Sequence, residues 1–136
     1  MATRRILVVD DDPDIRDYFT AVLDDHGYQV TAVGDTGAAL RALESFSPDV
    51  VIVDVLLPGR SGLDLLVTLR RSQRWSTTPL VVVTGVDQLL KDDCQSYLGT
   101  HAGVEGPDAV LGKPIDPAAL LAVLRAIEQR QARAAS

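Results

Sequence analysis

Three aspartates in a row, Asp10, Asp11 and Asp12, follow the apolar run at 6–9. Asp54 follows a second run at 50–53, Thr84-Gly85 a third at 80–83, and Lys113-Pro114 a short stretch near 109–111. Carboxylates gathered in one place repel unless a cation or a proton comes between them. A few of them with open coordination positions suit a hard divalent ion, Mg²⁺ above all, which keeps waters and recruits phosphate oxygens. A phosphoryl group beside such an ion adds negative charge. Lys113 offers a positive point charge to meet it, and Thr84 offers a hydroxyl donor. Phosphoryl transfer needs positioning and charge neutralisation, and an aspartate can serve as its nucleophile. Each residue alone has a plainer reading. Asp12 and Asp116 precede prolines as helix caps do, Thr84 suits a turn, and Lys113 suits a solvated surface. Their joint placement after four apolar runs is what points to chemistry.

The elements that must position them alternate in kind. The β-branched runs at 6–9, 30–33, 50–53 and 80–83 are mostly continuous, as expected of strands buried on both faces. Between them lie helical spacings: Ile15, Phe19, Val22 and Leu23; Leu40 and Leu43; Leu63, Leu66 and Leu69; Leu90, Cys94, Tyr97 and Leu98; Leu120, Leu124 and Ile127. Asp12-Pro13 and Asp116-Pro117 read as helix starts, Asp35 as a cap for the second helix, and Gly27 as a left-handed helix end. A fifth strand is expected near 109–111. The pattern is βα repeated five times, an α/β, doubly wound five-stranded parallel sheet with right-handed crossovers. Ligands of such sheets bind beyond the carboxyl ends of the strands. The first and third strands are neighbours there, which brings Asp10, Asp11 and Asp54 into one pocket.

A chain of 136 residues, 46% hydrophobic and 24% charged, fits one domain with one core. The domain is expected over 4–130, with 131–136 as a short polar tail. The formal net charge of -6 disfavours direct nucleic-acid binding. A single cysteine, Cys94, excludes an internal disulfide. With no signal-peptide pattern and no apolar run long enough to span a bilayer, the expectation is a cytoplasmic protein with no membrane association.

The segments Ile6-Leu7-Val8-Val9-Asp10-Asp11, 49–62 with Asp54 and Pro58, Val81-Val82-Val83-Thr84-Gly85, and Lys113-Pro114 together resemble the receiver domain of two-component response regulators, from about residue 4 to about residue 130. The resemblance implies a flavodoxin-like (βα)5 fold with strand order 2-1-3-4-5. It implies Asp54 as the phosphoryl acceptor, and Asp10, Asp11, Asp54 and the main-chain carbonyl of Leu56 as Mg²⁺ ligands. Thr84 becomes the switch hydroxyl and Lys113 the ion-pair partner of the phosphoryl group. A cis Lys113–Pro114 bond is expected, with room for the phosphodonor at Gly85. The implied donor is a phosphohistidine on a sensor histidine kinase or a histidine phosphotransfer protein, and the output is a downstream protein target. Such a chain modifies itself but is no enzyme for a separate metabolite. It is expected to be a monomer or a weak phosphorylation-dependent dimer, and a single-domain regulator; a receiver cut from a larger regulator or hybrid kinase is the alternative.

The chain departs from the family pattern in places. Family members often carry Tyr or Phe three residues before the lysine, where this chain has Val110, so an aromatic rotamer change cannot relay the signal. The connection at 99–107 is long and glycine-rich, and reads as either a partner-selecting loop or a tolerated insertion. Cys94 reads as packing, His26 and His101 as surface residues, and Trp75 as a cover for the core edge. Two other function classes remain in view. Asp10-x-Asp12 resembles phosphatases that use an aspartate after the first strand, but Pro13 and Asp14 weaken that match. A pseudo-receiver that binds partners without phosphorylation is opposed by the retention of Asp54, Thr84 and Lys113. Leu56 and Val86, flanking the expected phosphate site, cannot orient an attacking water. Changing both to polar residues is therefore expected to shorten the lifetime of the aspartyl phosphate, measured as loss of the added mass with time.

Overall fold

A computed structural model of the chain describes residues 5–54, 56–57, 60–85 and 107–135. Pro58, Val86, the expected helix around Leu90, Cys94, Tyr97 and Leu98, His101, and all of the 99–107 connection except Pro107 lie outside the described residues. The main sheet has five strands: β1 (Arg5–Val9), β2 (Gln29–Val33), β3 (Val50–Asp54), β4 (Leu80–Thr84) and β5 (Ala109–Gly112). All four pairings are parallel, in the order β2-β1-β3-β4-β5. Four helices are described: α1 (Pro13–Asp25), α2 (Thr36–Phe46), α3 (Gly62–Arg71) and α4 (Pro117–Ala135). A two-residue antiparallel hairpin, Leu56–Leu57 with Arg60–Ser61, lies between β3 and α3.

The continuous apolar runs have the reason expected of them. Side chains alternate across a strand, and both faces of this sheet are covered. Leu7, Val9, Val51, Val53, Leu80 and Val82 point to the face covered by α2 and α3, where Leu43, Leu66 and Leu69 are buried. Ile6, Val8, Val50, Ile52, Val81 and Val83 point to the other face, against Phe19 and Leu23 of α1 and Leu120, Leu124 and Ile127 of α4. Each fully buried aliphatic or Phe side chain contributes about 1.5–3 kcal/mol. The edge strands differ: β2 and β5 are only partly buried along most of their length. Trp75 packs on the first core cluster, with the Arg74 guanidinium 4.6 Å from its ring centre.

The caps form as read. The carboxylate of Asp12 accepts the Asp14 N–H at 2.9 Å with Pro13 in the first turn, and that of Asp35 accepts the Ala38 N–H at 2.7 Å. Gly27 has φ +85°, the left-handed conformation that a glycine adopts without steric cost. His26 is exposed. One expectation is corrected. Leu40 is 37% exposed, and the buried face of α2 is Ala39, Ala42 and Leu43. The helix lies close against the sheet through small residues, and the bulkier Leu40 is turned outward. The last helix continues through Ala135, so residues 131–135 are its final turns.

Tyr28, just after α1, ties β2 to the last helix: its hydroxyl donates to Glu128 Oε1 at 2.9 Å. Burial, then the hydrogen bond to Glu128 and the negative charge of that carboxylate, push the phenol up from 10.0 to about 12, against a smaller opposing effect of Arg125. Below pH 10 the phenol is neutral in both folded and unfolded chains. Above it the unfolded chain ionises first, so this contribution to stability is lost as pH rises from 10 to about 12. Ultraviolet titration is expected to show a tyrosine ionising near pH 12. Tyr28→Phe should remove that transition and flatten the alkaline fall in stability.

Candidate functional site

Register brings the acidic residues together. Val9 pairs with Val53, so Asp10 and Asp54 stand at the same level on neighbouring strands. Both continue the alternation of Val8 and Ile52, and therefore leave the sheet on the α1/α4 side. One ligand oxygen from each of Asp10, Asp11 and Asp54 can be chosen so that all three lie within 4.8 Å of one another. Asp10 is 2% exposed and Asp54 6%, whereas Asp11 faces solvent.

Lys113 enters from the sheet edge. Asp54 pairs with Val83, and Val83 with Leu111, so Lys113 lies two residues beyond the level of Asp54. That offset is roughly 7 Å along the strand, and β5 stands two strand spacings, roughly 10 Å, from β3. The side chain covers the gap. Nζ donates to Asp10 Oδ2 and to Asp54 Oδ2, each at 3.0 Å. Burial alone would push this ammonium down. The hydrogen bonds to Asp54 and Asp10 and the charges of the two carboxylates more than offset that, and the net shift is upward. Lys113 therefore remains charged across the neutral range. Three carboxylates against one ammonium, -3 and +1, leave a formal charge of -2 in the cluster.

The donor set fits a hard divalent cation. It is all oxygen, two members are held in place by protein contacts, and the third opens to solvent. Asp10 Oδ1 accepts the Asp12 N–H at 3.0 Å, which fixes that carboxylate in the turn leading to α1. Arg16 Nη1 donates to the Asp10 carbonyl at 2.8 Å and packs on Gly34, where a Cβ would come within 3.0 Å of it. This brace was not foreseen, because its acceptor is main chain.

The other expected residues are placed as follows. Thr84 ends β4, its backbone paired with Gly112 next to Lys113. Leu56 lies two residues past Asp54 and pairs with Ser61 in the small hairpin. Gly85 is exposed, and a Cβ there would meet nothing within 4 Å. The Lys113–Pro114 bond is cis. Val110 is partly buried against the α2/α3 cluster.

The family model for the response regulator receiver domain matches residues 6–125. The chain belongs to that family. It is 37% identical over 123 residues to the DNA-binding response regulator MtrA of Mycolicibacterium smegmatis, an alignment covering 90% of this chain and 50% of MtrA. The receiver thus spans about half the length of the first of its curated relatives. It is 32% identical to Protein PilH of Pseudomonas aeruginosa, covering 90% of this chain and 96% of PilH. Among solved structures, a CheY-like response regulator receiver domain protein from Methanospirillum hungatei matches with TM-score 0.80 and 28% identity, over 97% of this chain and 98% of that one. The chemotaxis response regulator CheY4 of Vibrio cholerae matches with TM-score 0.77 and 28% identity, over 93% and 99%. Among the described residues of this receiver, no helix is long and apolar enough to cross a membrane.

Because the ammonium of Lys113 and a divalent cation seek the same carboxylates, removing it has two expected effects. Lys113→Ala should lower stability without metal by about 1–3 kcal/mol, as the nearly buried acids lose their partner. It should also tighten Mg²⁺ binding several-fold, read by calorimetry. Unchanged Mg²⁺ affinity would contradict the competition.

Proposed function

We propose that this receiver accepts a phosphoryl group on Asp54 and uses the change to switch its protein contacts. The observation that carries the reading is the Lys113 ammonium bridging Asp10 and Asp54, each at 3.0 Å, beside the exposed carboxylate of Asp11. One oxygen of Asp54 attacks phosphorus while the P–N bond to a donor imidazole breaks, and the electron pair of that bond leaves with the imidazole. Asp54 exchanges its own charge for that of the phosphoryl group. Lys113, already held by Asp10, stays to neutralise it. Thr84 would donate its hydroxyl to a phosphoryl oxygen. Mg²⁺, held by Asp10, Asp11, Asp54 and the Leu56 carbonyl, would supply further neutralisation of the phosphoryl oxygens.

Receiver domains of this family interact with histidine kinases and downstream targets. A sensor histidine kinase or histidine phosphotransfer protein is therefore the donor we propose, in the cytoplasm, with a protein as the recipient of the signal. The net charge of -6 favours a protein partner over a nucleic acid for this domain. The chain acts on itself and turns over no separate metabolite. Incubation with Mg²⁺ and acetyl phosphate, followed by intact mass measurement, is expected to show one added phosphoryl group. The addition should vanish in Asp54→Asn and after chelation. Modification at Asp10 instead would support a phosphatase-like reaction, and no modification would leave a phosphorylation-independent binding module.

A further inference from the structure

The long reach of Lys113 makes its backbone position decisive, yet core burial holds that backbone only weakly. All four residues of β5 are partly exposed, and among the described strands only β4 pairs with it. Polar contacts secure it at both ends. At its start, the carboxylate of Asp108 accepts the Leu80 N–H at 2.8 Å and pairs with Arg70 at 2.9 Å and Arg130 at 3.1 Å. At its end, two residues beyond Lys113, the carbonyl of Ile115 accepts the Tyr18 hydroxyl at 2.8 Å. Tyr18 stands on α1, the helix whose Arg16 braces the Asp10 carbonyl. The acidic turn and the basic loop are therefore referenced to one rigid element, 97 residues away in sequence from Ile115.

We propose that Tyr18 is a positioning residue for Lys113. Its hydroxyl holds the loop at 113–116 at the distance from α1 that lets the ammonium touch both carboxylates. The inference rests on the phospho-acceptor reading of Asp54. Without the bond, Ile115 keeps its apolar contacts and Asp116 its cap on α4, but neither is directed at α1, so the spacing between that helix and the loop is no longer set by a directed contact beside Lys113. Reacting groups misplaced by about 1 Å lose rate steeply.

Tyr18→Phe removes one oxygen and keeps the ring that packs edge-on against Phe19, so the variant retains the fold. Wild type, Tyr18→Phe, Lys113→Ala and the double variant are compared in two ways. With acetyl phosphate at saturating Mg²⁺, Tyr18→Phe is expected to slow phosphorylation roughly three- to ten-fold. The same change in the Lys113→Ala background should alter the rate by less than about two-fold, because a residue acting through Lys113 has nothing left to position. With Mg²⁺ alone, calorimetry should show Tyr18→Phe tightening binding in the direction of Lys113→Ala, and no further tightening in the double variant. A merely structural tyrosine would slow both backgrounds alike and leave Mg²⁺ affinity unmoved; either result overturns the proposal. A wild type that takes up no phosphoryl group sinks the phospho-acceptor reading instead, and the Mg²⁺ titrations then decide the tether by themselves.

Discussion

Mutual repulsion among Asp10, Asp11 and Asp54 is the constraint around which the molecule is arranged. Placing two nearly buried carboxylates side by side is unfavourable unless positive charge meets them. The fold accepts that cost at the rim where its parallel strands end together. Lys113 relieves part of the repulsion and leaves a deficit that matches a doubly charged ion. The strand register, the Asp12 N–H and the Arg16 brace each place one of these groups or keep it from relaxing away.

The sheet does the placing. In a parallel ladder a shift by one residue would send each side chain to the opposite face. The apolar runs of β1, β3 and β4 forbid that shift, because every residue in them is committed to one of two helical layers. Asp10 and Asp54 inherit their level and direction from Val9, Val53 and their neighbours. Lys113 does not inherit its position in this way. It comes from an edge strand with weaker burial, and directed polar contacts at both ends of that strand take over where packing is thin.

The fold and the acidic pair were legible in the sequence because they follow from short-range rules. Doubly buried strands read as continuous β-branched runs, Asp-Pro pairs mark helix starts, and a strand-end aspartate stands where such sheets bind ligands. Other features follow from distances no linear pattern reveals. Leu40 looked like core because it is large, but α2 packs through Ala39 and Ala42, and how close a helix lies to a sheet is settled only on assembly. Arg16 and Tyr18 donate to main-chain carbonyls, acceptors that every position carries, so neither partner can be picked out beforehand. Asp108 reads as an ordinary polar residue before a strand, although two arginines from different helices converge on it. Val110 was legible in both senses: the missing aromatic is plain in the sequence, and the structure seats the smaller side chain against the apolar layer.

The doubly bonded lysine also bears on how such a domain is made and kept. A polypeptide carrying its own counter-ion can finish assembling without borrowing one from solution. The acidic rim thus has a counter-charge supplied by the chain itself.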